Sequence, residues 1–367
     1  MRSGLIIAAS TVYIAVLGCV IFPSASDGKT PAENAGAPFR SVTTGAPITE
    51  RYRGVVMQLQ RVDWIEEYKK SVDEIAALGA DTVLFVVDAR QENGSSNKIY
   101  LDMRMTPTPA QLFELFKHAK SKNLRVILMP IVLLDAPEGD EWRGTIKPKD
   151  WQEWFSSYRD VITHFAWVAQ GDTTGGVPLA DILVIGSELV STQDKLTEWT
   201  RTIDAVRAKY KGYLTYSSNW DNYRQVPFWN QLDLIAMNSY WKLGENKDVS
   251  VDQIVANWQG IQKDVLAFTQ QQRKPLLFTE VGWCNLENAA SEPWNYTRSD
   301  LRANPDLQKR LWEGFFRAWH ANPGLGGFMI WNWEPGDGGP QDKGYTPEGK
   351  PAEKVIREWL AKQWDGK

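Results

Sequence analysis

Short apolar runs alternate with helix-like segments along most of this chain, starting near residue 53. The apolar runs are typical of strands buried on both faces, and the longer segments repeat apolar residues every three or four positions. Strands are predicted at 54–59, 82–87, 125–134, 180–188, 213–218, 232–239, 276–279 and 326–331. Helices are predicted at 64–78, 109–122, 151–169, 194–210, 251–271, 305–320 and 352–364.

The alternation predicts an α/β fold, a single (β/α)8 TIM barrel occupying 51–367. Eight strand–helix units over roughly 310 residues fit a closed barrel better than an open doubly wound sheet. No glycine-rich phosphate loop follows the first strand, which argues against a nucleotide-binding fold. The formal net charge is −4 and no basic run occurs, so we expect no nucleic-acid partner.

The first 50 residues differ from the rest. Residues 1–26 carry Arg2, an apolar run at 5–22 and small residues that suit cleavage, as in an export signal. The run is also as long as the shortest membrane spans, and Cys19 faintly resembles a lipoprotein site, so an anchor stays open. Residues 27–50 are rich in Ala, Pro, Gly, Ser and Thr, which predicts a flexible linker. We expect an exported monomer that is periplasmic, extracellular or tethered facing outward.

Two strands are predicted to end in a glutamate. The apolar strand at 276–279 is followed by Glu280, Val281, Gly282 and Trp283, and the strand at 180–188 ends in Glu188. A charge at the end of a buried strand costs free energy unless it is paired or used. One such glutamate could be an ordinary ion pair at the barrel mouth. Two glutamates that both follow buried strands indicate hydrolysis of a glycosidic bond. The anomeric configuration is retained if the two carboxylates lie about 5 Å apart.

The other predicted strand ends contribute carboxylates, amides and aromatics, and no histidine. Chemistry in such barrels lies at this end of the strands. Without a nearby base, Ser187 and Cys284 are poor nucleophiles, and no metal-ligand spacing occurs, so neither metal nor cofactor is expected. Eighteen tryptophans are also more than packing needs, and they suit stacking on sugars. The candidate substrate-binding residues here are Asp88, Arg90, Asn219, Trp220, Asp221, Asn238, Tyr240, Trp283, Trp331 and Trp333.

Motifs spread over most of the domain carry a family resemblance. They are Trp142-Arg143-Gly144, Trp151, Trp154-Phe155, Tyr158, His164-Phe165-Ala166, Gly186-Ser187-Glu188-Leu189, the 214–221 run, Phe228-Trp229, Leu232-Asp233, Thr279-Glu280-Val281-Gly282, Pro293-Trp294 and Gly349-Lys350-Pro351-Ala352. With glutamates on strands four and seven, the chain resembles the retaining glycoside hydrolases of clan GH-A, and within it the family 113 β-mannanases. The resemblance implies Glu188 as acid/base, Glu280 as nucleophile and β-1,4-mannan as substrate.

The same resemblance extends to supporting residues. Tyr240 resembles the clan's tyrosine that bonds the nucleophile, and Trp331 its sugar platform. Arg143 and Ser187 join the predicted substrate-binding set, although Arg143 could instead pair with Asp135 on a surface loop.

Two departures from the family pattern bear on the substrate. Many clan members have Asn where this chain has Ser187, and 129–131 reads Met-Pro-Ile where the mannanases resemble Lys-Pro-His. Another β-linked glycan (β-glucan, β-galactan or an envelope polysaccharide) and a non-catalytic carbohydrate-binding barrel therefore stay open. For Trp283 and Trp333, sugar stacking and rim packing are equally favoured, whereas the helix tryptophans are expected in the core.

Overall fold

The barrel is closed. The computed structural model describes residues 39–42, 45–171, 176–298 and 300–364. Its strands are parallel and pair in sequence order, with the first pairing to the last, which confirms the predicted TIM barrel. The strands are β1 (Tyr52–Leu59), β2 (Thr82–Gln91), β3 (Arg125–Leu134), β4 (Ile182–Ser187), β5 (Tyr213–Ser218), β6 (Ile235–Asn238), β7 (Leu276–Val281) and β8 (Leu325–Ile330).

The helices begin and end where local chemistry favours it. Thr108 and Gln111 form a reciprocal capping box at the start of α2, and Asp150 accepts the first main-chain N–H groups of α3. Gly79 ends α1 with a left-handed φ of 97°. The helices are α1 (Ile65–Leu78), α2 (Pro109–Ser121), α3 (Trp151–Gln170), α4 (Leu196–Lys209), α5 (Val251–Gln272), α6 (Pro305–Trp319) and α7 (Pro351–Leu360).

The second strand is longer than predicted. It pairs with β3 as far as Gln91, four residues beyond the apolar run that marked it in the sequence. Asp88 and Arg90 therefore lie within the strand and not after it. Their 2.8 Å ion pair offsets the cost of placing two charges in a buried strand, which an apolar pattern alone does not indicate.

The fifth strand–helix unit has no α-helix. Between β5 and β6 the chain forms two 3-10 helices, Tyr223–Gln225 and Trp229–Gln231. The described ranges thus contain eight strands and seven α-helices, and no helix was predicted in this connection. This connection is short and contains Pro227, whose ring removes a main-chain donor and disfavours a continuing helix.

The core has two layers, as strand alternation requires. Val56 lies in the cluster that fills the barrel, whereas its neighbour Val55 packs in the cluster between strands and helices. The outer layer holds the helix tryptophans expected in the core, which are fully buried. They are Trp154, Trp199, Trp258 and Trp312.

The end of the segment predicted as a linker packs on the barrel. The Ser41 hydroxyl and the Val42 N–H donate to Asp233 over 2.8 and 2.7 Å, and Ile48 is buried. The polar composition of this segment did not indicate these contacts. Residues 1–26, predicted as an export signal, lie outside the described residues. Within the described ranges, no helix is both long and apolar enough to cross a membrane.

Candidate active site

Glu188 follows β4 directly and is held in an unusual backbone conformation. Its φ is 55°, and its N–H donates to the Ser217 carbonyl on β5 over 2.8 Å. A non-glycine residue in the left-handed region costs about 1–3 kcal/mol and persists where tertiary contacts hold it. Those contacts are present, because Arg143 and the side-chain amide of Asn238 both donate to the carboxylate. These contacts hold a nearly buried carboxylate at the barrel mouth.

Glu280 lies in β7, opposite Asn238 of β6 in the strand register. It is 4% exposed, and the Tyr240 hydroxyl donates to its Oε2 over 2.7 Å. Burial, together with the charge of Glu188, raises the pKa of Glu280 to about 7, while Arg143 and Tyr240 act in the opposite direction. The charge of Glu188 therefore makes ionisation of Glu280 less favourable.

Arg143 is the cation shared by the two glutamates. It opens a 3-10 helix, Arg143–Thr145, in the connection from β3 to α3, where Gly144 sits against the Trp142 ring so closely that a Cβ would collide. The guanidinium donates to Glu188, and its charge also acts on Glu280. The alternative surface pair with Asp135 is wrong. Asp135 pairs instead with Arg90, over 2.7 Å.

The Asn238 amide is oriented by its neighbours. Its Oδ1 accepts the main-chain N–H of Trp220 over 2.8 Å, so its Nδ2 is directed to Glu188. The same Nδ2 lies 3.2 Å from the side-chain oxygen of Asn219. Asn219, Trp220 and Asn238 were all predicted site residues, and the structure brings them together beside Glu188.

An aromatic cluster supports Tyr240. Tyr345 packs against it with ring centroids 6.1 Å apart and donates its hydroxyl to the Pro293 carbonyl over 2.8 Å. Cys284 completes the cluster, and burial raises the pKa of its thiol to about 12, so the thiol stays protonated. Burial and the Glu280 charge raise the pKa of Tyr240 well above its ordinary value, which keeps the phenol a hydrogen-bond donor.

Trp331 follows β8 at the rim. It is half-buried, packs against both the barrel interior and the Tyr240 cluster, and donates its main-chain N–H to Val281 over 2.7 Å. Its peptide bond to Asn332 is cis. Gly282 lets it come this close, because a Cβ there would collide with the Trp331 carbonyl oxygen. The structure thus places Trp331 at the rim next to β7, the strand that carries Glu280, and a sugar platform at this position stays a prediction.

Two predicted site residues do not fit sugar stacking. Trp283 is fully buried and meets the Trp312 ring edge-on at 5.1 Å. Trp333 is 3% exposed and donates its indole N–H to Glu74 of α1 over 2.9 Å. A ring enclosed by protein has no free face for a sugar, so the packing alternative holds for both.

The remaining predicted residues differ in their surroundings. Asp88 is fully buried and bonded to Arg90 and to Gln60, in a network that continues from Arg90 to Asp135 and Tyr100. Ser187 is 1% exposed, and its hydroxyl has no hydrogen-bond partner among the described residues. Asp221 is exposed, and within the described ranges no hydrogen bond joins it to either glutamate.

Glu334 is a buried carboxyl that the candidate list omitted. It follows β8, and its Oε1 accepts the Gln58 main-chain N–H at 2.9 Å and the Asn332 amide at 3.0 Å. Burial raises its pKa to about 8. Its position after a strand, like that of Glu188, was the available sequence signal. No comparable signal marked Tyr345, which lies in a loop rich in glycine and proline.

No group of three or more His, Cys, Asp or Glu side chains in the described ranges is placed to hold a metal ion. What the rim does offer is two interacting carboxylates, with one arginine and one tyrosine bound to them, at the mouth of a (β/α)8 barrel. That combination defines a glycoside hydrolase site.

Comparison with known proteins agrees. The chain belongs to glycoside hydrolase family 113, whose sequence profile matches residues 56–350. The family resemblance is thereby confirmed, and a carbohydrate substrate follows from it.

Solved structures of the family share the fold. A GH113 β-1,4-mannanase complex superposes with a TM-score of 0.76 at 23% identity, covering 86% of this chain and 100% of that one. GH113 β-mannanase AaManA from Alicyclobacillus acidocaldarius, in complex with ManMIm, gives 0.74 at 25% identity, covering 85% and 97%. A β-glucuronidase from Faecalibacterium prausnitzii gives 0.57 at 14%, covering 86% and 49%, which is a likeness of fold alone. No curated protein sequence matches significantly.

Proposed function

We propose that this chain is a retaining glycoside hydrolase that cleaves β-linked polysaccharide or oligosaccharide, of the β-1,4-mannan type. The observation that carries the proposal is the pair of Glu188 and Glu280 at the barrel mouth, whose charges interact with each other and with Arg143. Double displacement needs one carboxylic acid and one carboxylate, and two neighbouring glutamates can supply them.

The proposed roles follow from the partners of each glutamate. Glu280 attacks the anomeric carbon, and the glycosidic bond breaks as Glu188 gives its proton to the leaving oxygen. When Glu188 carries the proton, the charge that raises the pKa of Glu280 is absent, and Arg143 and Tyr240 favour the ionised nucleophile. Glu188 then takes a proton from water, whose oxygen attacks the glycosyl–enzyme ester and releases Glu280.

Supporting residues are proposed to bind and orient the sugar. Trp331 is half-buried against the Tyr240 cluster and offers an aromatic platform, and Asn238 and Asn219 offer amides. Asp88 and Arg90 would act from the end of β2, through the network that includes Asp135 and Tyr100.

The mannan assignment is supported by the likeness to solved GH113 β-mannanases. Met129 and Ile131 both belong to the apolar cluster inside the barrel, where the family resemblance leads one to expect Lys and His. Met129 and Ile131 are buried and carry no charge, so they supply none of the polar contacts of a Lys and a His, and the panel of substrates must include other β-linked glycans.

The test is release of reducing ends from β-mannan, β-glucan and β-galactan, with the Glu280→Gln variant as the matched control for contaminating activity. NMR of the first product reports the anomeric configuration. Fastest turnover of β-mannan with retention supports the proposal. Preference for another glycan would replace the substrate, inversion would remove the double displacement, and binding without turnover would indicate a carbohydrate-binding barrel.

We also propose that the enzyme acts outside the cytoplasm, on the basis of the apolar leader at 1–26. Fractionation of cells that express the full chain tests this. Activity in the medium, periplasm or outward-facing membrane fraction agrees with export, whereas activity confined to the cytosol contradicts it.

A further inference from the structure

A groove runs along the flank of the barrel beside the active site. It has a volume of about 900 Å³ and lies between the β6–α5 connection and the first half of α5. A second cavity of about 370 Å³ continues it towards Val265, and both are lined by Trp241, Asn257 and Ile261. We call the two together the flank groove. Its size is that of a site for a small molecule or a few sugar residues.

Trp220 and Trp241 line the flank groove, and Trp294 packs on Trp220 next to that lining. The Trp220 and Trp241 rings cross at 62° with centroids 5.8 Å apart, and Trp294 stacks on Trp220 at 20° and 6.1 Å. Trp241 is anchored on the core by Trp258, while Trp294 is 47% exposed. An exposed aromatic set held from beneath is typical of a binding surface and not of core packing.

The rest of the lining is polar. Amides of Asn246, Gln253 and Asn257 and charges of Lys242 and Glu245 border the aromatic rings. Asn257 donates to the Leu243 carbonyl over 3.0 Å, which fixes the connection against α5. Aromatic faces bordered by amides and charges complement a ligand that has apolar ring faces and many hydroxyl groups. Such a ligand is a carbohydrate.

The flank groove is joined to the catalytic pair through Trp220. Its main-chain N–H orients Asn238, which bonds Glu188, and its ring packs against the cluster that supports Tyr240. Tyr345 of that cluster bonds the Pro293 carbonyl, next to Trp294. The aromatic wall of the active site therefore continues into the groove.

We propose that the flank groove binds additional sugar residues of the same glycan chain that is cleaved between Glu188 and Glu280. This inference rests on the proposed function and adds a binding site outside the catalytic cleft. It requires that the enzyme bind long chains more tightly than short ones.

A blocking variant tests the groove without removing any contact. Ala256 is exposed on α5 and lines the groove, so Ala256→Arg fills part of it with a good helix former. Ala267 is also exposed on α5, three turns further along nearly the same face and outside the groove lining, so Ala267→Arg is the matched control. Thermal melting confirms that both variants fold.

The measurement is electrophoresis through gels containing β-mannan, β-glucan or β-galactan, in the Glu280→Gln background so that the glycan is not consumed. We expect at least one of these glycans to retard both the Glu280→Gln parent and its Ala267→Arg variant. The apparent affinity of the Ala256→Arg variant for that glycan should be lower by about fivefold or more. In the active background, the ratio of kcat/KM for a hexasaccharide to that for a disaccharide should fall in Ala256→Arg alone.

Equal retardation of the two variants, or no retardation in any gel, overturns the groove proposal. A third result would also overturn it. If Ala256→Arg changes the sedimentation coefficient of the protein but not its binding to glycan, the groove is a contact between copies of the chain. Retardation lost in Ala256→Arg, with no hydrolysis by the parent, would leave the groove in place and remove the proposed function. Hydrolysis whose kcat/KM does not depend on the length of the glycan would keep the proposed function and overturn the groove proposal.

Discussion

Carboxylates lie at both ends of this barrel, and their partners differ. At the amino-terminal end, Asp81, Asp181 and Asp233 lie just before β2, β4 and β6. Each accepts a main-chain N–H and also pairs with a cation, and the cations are Arg53, Lys120 and Arg207, at 3.1, 3.0 and 2.8 Å. Carboxylates with such partners join neighbouring strands and helices and contribute to stability.

At the carboxyl-terminal end, two glutamates interact with each other. Glu188 and Glu280 share one arginine, and the charge of the first raises the pKa of the second to about 7. A pair with too little positive charge to ionise both members is costly for folding and suited to proton transfer. Carboxylates thus stabilise the amino-terminal end of the barrel, where each has its own cation. At the carboxyl-terminal end two carboxylates share one arginine and are available for catalysis.

The largest effect should follow from removing the nucleophile. Glu280→Gln keeps the shape of the side chain but removes the attacking carboxylate, so kcat should fall more than about 10⁴-fold. Reducing-end assays on the preferred glycan measure this loss of turnover. The fold should be retained, because the amide relieves the repulsion between the two glutamates; a variant with near-normal turnover would refute the role of Glu280.

A substitution at the amino-terminal end of the barrel should lower the free energy of unfolding and leave activity nearly unchanged. Asp233→Asn leaves Arg207 without its carboxylate and weakens the bonds from Ser41 and Leu214, so we expect a loss of about 2–4 kcal/mol in the free energy of unfolding. Denaturant unfolding measures the loss, and kcat/KM at 25 °C should stay within about twofold of the parent value. Lost turnover with unchanged unfolding would contradict the separation between the two ends.

The pH dependence should report the ionisation of Glu280. Glu280 attacks as a carboxylate, so kcat/KM should rise with pH as Glu280 ionises, at or below about 7, the pKa it has beside the charge of Glu188. Arg143→Ala removes the charge that favours the ionised carboxylates. We expect a loss of about 10²-fold in kcat and a pH–rate profile displaced to higher pH.

An Arg143→Ala profile of unchanged position would show that Arg143 only shapes the loop. Arg143→Lys is the conservative control, because it keeps the charge and loses the forked geometry. It should restore the position of the profile more than the rate.

Glu334 should give the smallest effect, and only at high pH. Its folded pKa of about 8 exceeds the ordinary 4.5, so its contribution to stability is intact below pH 4.5 and is lost as the pH rises to about 8. Glu334→Gln removes that loss, and its Tm relative to the parent should be higher at pH 9 than at pH 4, by roughly 2–4 °C. A Tm difference that does not vary with pH would contradict the burial argument.

The sequence predicted the barrel and both glutamates, because buried strands are continuous apolar runs and a terminal carboxylate interrupts them visibly. It did not separate Trp331, at the rim, from Trp283 and Trp333, which pack against helices. All three follow apolar strands in the same way, and the direction of a ring depends on strand register and on a close approach such as that at Gly282.

Contacts between distant segments were also beyond the sequence pattern. Arg143 has Asp135 closer in sequence than Glu188, yet the loop conformation pairs it with Glu188. Tyr345 reaches Tyr240 from a loop without periodicity, and Ser41 reaches Asp233 from a segment whose composition resembles a linker. Such pairings depend on how the closed barrel brings loops together, which local patterns do not encode.

The central claim, that Glu280 is the nucleophile and Glu188 the acid/base, is tested most directly by trapping the intermediate. The Glu188→Ala variant is mixed with a dinitrophenyl glycoside of the preferred sugar, whose leaving group needs no protonation, and the protein is digested and analysed by mass spectrometry. Without the base that activates water, the glycosyl ester should accumulate on the peptide that contains Glu280. An adduct on any other residue, or rapid turnover with no adduct, would contradict the account.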